Sequence, residues 1–190
     1  MGTSRNDRSP MTPPWKMALA VVGTPDVPVS RQSLEIWRAV AADRGEKLLR
    51  DFSNRSLAEA CRWMSQQMPV NEVLARFQRE TMYESNAGLA IDIGRRALAR
   101  CAAERGDATS FVGELFAEAV SYYISRDLPS YVGARGRIPS NGDAIRLKEA
   151  LRESTKQRVR SMGEPKLGPR EWRGYISSVL RTLKGEGTAE

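Results

Sequence analysis

Apolar residues recur three and four positions apart along most of this chain, and that spacing is the signature of amphipathic helices. Leu34, Trp37, Val40 and Ala41 make one such face, and Leu57, Ala60, Cys61 and Met64 make another. Phe111, Leu115, Phe116, Ala119, Val120, Tyr123 and Ile124 form the most apolar element and are expected at the centre. Trp172, Tyr175, Ile176, Val179, Leu180 and Leu183 form the last stripe. No convincing run of alternating apolar and polar residues competes with this pattern, so the expected fold is all-α. The spacing predicts a single helical-bundle-like domain of six or seven helices with a disordered N-terminal arm.

Helix punctuation sets the expected boundaries. Residues 1–28 are expected to be a disordered or extended arm, with the apolar segment 15–23 either a short strand or a packed arm. A near-neutral helical core follows over 29–127, then a basic loop and two C-terminal helices over 128–184, and a tail over 185–190. Ser30 is expected to cap the first helix and Gly45 to stop it. Ser56 and Glu59 read as a capping box, S-x-x-E, and Asn71 as the next cap. The two stripes within 72–105 are out of phase across Ser85–Gly88, which favours two helices over one. Residues 128–142 hold two prolines and three glycines and read as a loop of about fifteen residues, long enough to carry a function.

The longest apolar run, Met17–Val22, is far shorter than the ~20 residues a membrane-spanning helix needs. Cys61 and Cys101 do not make a disulfide framework and read as two buried small hydrophobes. The chain is expected to be cytoplasmic.

With no histidine among 190 residues, imidazole bases, imidazole metal ligands and Ser-His or Cys-His nucleophile pairs are all excluded. No phosphate-loop or dinucleotide-binding signature occurs. No catalytic residue or cofactor is assigned. Two glutamate pairs at i, i+4 spacing, Glu80/Glu84 and Glu114/Glu118, would hold a divalent metal if their helices faced each other. That arrangement would suit an all-α phosphohydrolase, but the spacing departs from the E-x-x-E and E-x-x-D motifs of such enzymes. Surface glutamates beside arginines are the simpler expectation.

Charge is unevenly placed. Residues 1–134 hold 17 basic and 16 acidic groups, whereas residues 135–184 hold 13 basic and 5 acidic, a net +8. The last six residues add −2, giving +7 for the chain. Such a stretch attracts polyanions and releases counterions from phosphates. The candidate phosphate contacts are Arg135 and Arg137 on the loop, Arg146, Lys148, Arg152, Lys156, Arg158 and Arg160 on the following helix, and Arg170 and Arg173 on the last. At 100° per residue, Lys148, Arg152 and Lys156 share one helical face. The leading expectation is a non-enzymatic nucleic-acid-binding or nucleoprotein-assembly protein contacting the phosphate backbone of DNA or RNA. The alternative is an adaptor that docks an acidic protein partner through the C-terminal helix, with Trp172, Tyr175, Ile176 and Val179 at the interface.

Overall fold

A computed structural model describes residues 13–83, 88–127, 138–165 and 169–186. Among them are eight helices: α1 (Pro13–Val21), α2 (Val29–Phe52), α3 (Arg55–Ser65), α4 (Val70–Glu80), α5 (Gly88–Glu104), α6 (Ala108–Asp127), α7 (Asn141–Arg160) and α8 (Pro169–Leu183). The fold is all-α, as the periodicity requires, with one more helix than the upper expectation. None of these helices is long and apolar enough to cross a membrane. Residues 1–12 of the expected arm and 128–137 of the expected loop lie outside the described residues.

The additional helix is α1, at the position expected to be extended. Trp15, Ala18 and Val22 are buried, and their three- and four-residue spacing is helical. The segment is short and almost uniformly apolar, so its period could not be read. Buried Gln32 holds the return into α2. Its Oε1 accepts from the Gly23 backbone N at 2.9 Å and its Nε2 donates to the Val27 carbonyl at 2.7 Å.

Helix α2 begins after Pro28 rather than at a Ser30 cap, and it runs through Gly45 instead of stopping there. A mid-helix glycine costs about 1 kcal/mol relative to alanine. Continuing the helix buries Leu48 and Phe52, each contributing roughly 1.5–3 kcal/mol, so the tertiary term prevails. Helix α3 is capped by Asn54, whose side chain accepts from the Ser56 backbone N at 2.7 Å. Ser56 is thus inside the helix, and Glu59 pairs with Arg62 instead of completing a capping box. Helix α4 starts after Pro69, one residue ahead of the expected Asn71 cap. The stretch 72–105 is two helices, α4 and α5, as the phase shift indicates.

Asp107 caps α6 by accepting from the Ser110 backbone N at 2.8 Å. Every residue from Phe111 to Ser121 is buried, which makes α6 the central helix. Its Phe116 ring meets Trp37 at 5.8 Å and Phe52 at 5.2 Å between centroids, so both halves of α2 converge on one aromatic. Helices α5 and α7 flank α6, while α7 and α8 lie along α2. Trp172 Nε1 donates to the Phe52 carbonyl at 2.9 Å, and Arg38 Nε donates to the Lys184 carbonyl at 3.1 Å. These two bonds set α8 antiparallel to α2.

Helix α5 approaches α3 and α4 closely at Gly94. A Cβ there would lie 2.6 Å from Leu57 Cδ2 and 3.1 Å from Phe77 Cζ, both side chains being fully buried. Gly94→Ala is expected to destabilise the fold by roughly 1–3 kcal/mol despite the better helix propensity of alanine. A denaturant melt with unchanged or higher midpoint would show that α5 can move outward freely.

Candidate functional site

Helix α7 carries most of the residues expected to meet phosphate. It is capped by Ser140, whose Oγ accepts from the Asp143 backbone N at 3.2 Å. Lys148, Arg152 and Lys156 do share one side of α7. That side is turned inward from Leu151 onward, because Leu151, Thr155 and Val159 lie beside them and are fully buried. Thr155 Oγ1 accepts from Trp37 Nε1 at 2.9 Å, which seats this side on α2.

Arg152 is only 2% exposed and Lys156 only 5%. Arg152 Nη2 lies 2.6 Å from Glu114 Oε2, and its Nη1 lies 2.7 Å from Glu118 Oε1. The same Nη1 donates to Ser121 Oγ at 3.2 Å. Lys156 Nζ sits 2.7 Å from Glu114 Oε1 and 2.8 Å from Glu153 Oε1. Arg100 Nε reaches Glu118 Oε1 at 2.7 Å from α5. Burial pulls the Lys156 pKa down, but the carboxylates of Glu114 and Glu153 beside the ammonium outweigh it and hold it above its usual value. The two buried cations and two buried carboxylates therefore cancel within the α6–α7 interface.

This geometry corrects two sets of expectations at once. Arg152 and Lys156 are not available to phosphate, because their charge is consumed inside the protein. Glu114 and Glu118 are not metal ligands, because guanidinium and ammonium groups occupy their oxygens. Glu80 pairs with Arg76 at 2.9 Å on α4, and Glu84 lies outside the described residues. No group of three or more metal-ligating side chains converges among the described residues. One signal in the sequence pointed to this outcome. Glu114 and Glu118 stand in the most apolar helix of the chain, and buried carboxylates require buried partners.

The interface residues assigned to the C-terminal helix are also corrected. Trp172, Tyr175, Ile176 and Val179 are all buried against the body. Tyr175 Oη donates to the Gly163 carbonyl at 3.3 Å. The stripe is part of the core rather than a docking surface.

Removing the buried pairs redistributes the surface charge without changing its sum. Residues 135–184 then present 11 basic and 5 acidic groups, net +6, and residues 1–134 present 17 basic and 14 acidic, net +3. On the outer side of α7, Arg146 is exposed but lies 2.5 Å from Asp143, and Arg160 is exposed beside exposed Glu149, Glu153 and Gln157. Lys148 is half-buried, and Arg158 donates to the Ser30 carbonyl at 3.2 Å. That side is mixed in charge. The outer side of α8 is different: Arg173, Gly174 and Arg181 are exposed, with half-exposed Ser177 and Ser178 between them. At 100° per residue Glu171 falls at the edge of this surface. Neither Arg173 nor Arg181 forms an ion pair among the described residues; Arg181 Nη2 donates only to Ser178 Oγ at 3.2 Å. Arg135, Arg137 and the side chain of Arg170 lie outside the described residues.

Both cysteines are free and buried. Burial pushes the Cys61 thiol far above its usual range and the Cys101 thiol up to about 12, so neither is poised as a nucleophile.

Compared with protein-family models, with curated proteins and with solved structures, the chain finds no match.

Proposed function

We propose that the protein is a non-enzymatic binding protein that engages the phosphate backbone of a nucleic acid, and that its contact surface is the outer side of α8 rather than α7. The observation that carries this reading is the charge arrangement after pairing. Two cations and two carboxylates cancel in the core, the whole +7 remains at the surface, and α8 offers Arg173 and Arg181 with small residues between them. Arginine forks suit phosphate oxygens, and short side chains between them let a phosphate chain approach the helix closely.

The test is binding of double-stranded and single-stranded oligonucleotides across a salt series. The logarithm of the association constant should fall linearly with the logarithm of salt concentration. Substituting Glu at both Arg173 and Arg181 should make the slope shallower by about two phosphate contacts and weaken binding at least tenfold. The reading is wrong if that double variant, shown to be folded by circular dichroism, binds with the parent's affinity and slope. An acidic protein that bound the α8 surface while oligonucleotides did not would also replace it.

A further inference from the structure

A second cationic feature lies away from α8. Helices α3 and α4 pack against each other, and a cleft of about 400 Å³ opens between them. Arg55, Glu59 and Arg62 line it from α3 at i, i+4 and i+7, Arg76 and Glu80 line it from α4, and Ser56 and Trp63 complete the wall. We propose that this cleft binds a phosphomonoester group.

Two of the cleft's guanidinium groups are held by neighbouring side chains. Arg76 lies over the Trp63 ring, 4.2 Å from the ring centroid, and its Nε reaches Glu80 Oε1 at 2.9 Å. Its face and one edge are thereby fixed, while its two Nη groups make no hydrogen bond among the described residues. Arg62 spends Nε, at 2.9 Å, and Nη2, at 2.5 Å, on Glu59 Oε2, and its Nη1 makes no hydrogen bond among the described residues. Arg55 forms no ion pair among the described residues. Each carboxylate is thus consumed by an arginine on its own helix, and the cleft retains one uncompensated positive charge with donors on three forks.

Those features select the ligand. A phosphomonoester carries about −1.5 to −2 charge at neutral pH and three strong acceptor oxygens, one for each guanidinium. A carboxylate or a backbone phosphodiester offers two acceptors and a single charge. Holding the Arg62 and Arg76 forks in place before binding reduces the ordering cost of association. The cleft is near the small end of ligand-pocket volumes and opens to solvent. It can therefore take a small sugar phosphate or the terminal phosphate of a nucleic-acid chain.

The test uses the full chain and titration calorimetry. Ribose 5-phosphate is expected to bind saturably at millimolar or lower concentration, and more tightly than sulfate. The double variant Arg55→Gln/Arg76→Gln should weaken it at least tenfold, and Arg76→Lys should weaken it too, since lysine cannot both stack and fork. Both positions lie on the surface, so a circular dichroism melt should stay close to the parent. A 5′-phosphorylated oligonucleotide binding more tightly than its 5′-hydroxyl counterpart, with the difference abolished by the double variant, would identify a chain terminus as the source. Preference for ribose 5-phosphate alone would identify a small metabolite.

The proposal is overturned if ribose 5-phosphate shows no saturable binding, or if it binds the double variant as it binds the parent. Failure of the α8 reading is separable, because it is read with substitutions at Arg173 and Arg181 on a different helix.

Discussion

Arg152→Ala is expected to lower the stability of the fold by about 3–5 kcal/mol, the range for breaking a buried ion pair by removing one partner. The reason is the position of its neighbours. Glu114 and Glu118 are themselves buried and lie 2.6 and 2.7 Å from the guanidinium. Without Arg152, Glu114 keeps Lys156 and Glu118 keeps only the half-exposed Arg100. Carboxylate charge would then be stranded in a poorly solvating environment. For a chain of this size the loss corresponds to a fall in Tm on the order of 10 °C.

A phosphate-contacting arginine on an open surface would instead shift stability by no more than about 0.5 kcal/mol, so a thermal melt separates the two roles. The triple variant Arg152→Met/Glu114→Gln/Glu118→Gln should recover part of the loss, since it removes the buried charges together rather than one at a time. If Arg152→Ala melted with the parent, the α6–α7 ion pairs would not hold in solution.

Trp172→Ala is expected to cost roughly 3–5 kcal/mol as well, for a different reason. The indole is 1% exposed, it stacks against Tyr175 with centroids 6.3 Å apart, and its Nε1 donates to the Phe52 carbonyl at the end of α2. Truncation removes a large apolar body, leaves a cavity and orphans a carbonyl. Trp172→Phe, which keeps most of the volume and loses the hydrogen bond, should cost less. Chemical denaturation of the two variants measures both quantities. Were Trp172 an interface residue, its loss would leave stability unchanged and weaken only association.

The helical stripes on α2, α3, α6 and α8 could be read residue by residue, because a helix against a core repeats its apolar positions at a period that local sequence displays. Boundaries were less accessible. Gly45 carries a stop signal that is locally sound, yet the burial of Leu48 and Phe52 outweighs it. Segment 15–23 shows why a uniformly apolar run conceals its period. For the functional surface, the sequence correctly placed Lys148, Arg152 and Lys156 on one side of α7. It assigned that side to solvent because charged residues ordinarily face water.

The direction of that side depended on Glu114 and Glu118, 34 to 42 positions earlier on another helix. Local periodicity and composition determined an all-α chain, its central helix and its charge inventory, since these follow from residue types and nearest neighbours. Only the tertiary structure decided which charges cancel and which remain outside. Ion pairing between distant helices is a matter of spatial approach, and the spacing of residues along either helix does not encode it.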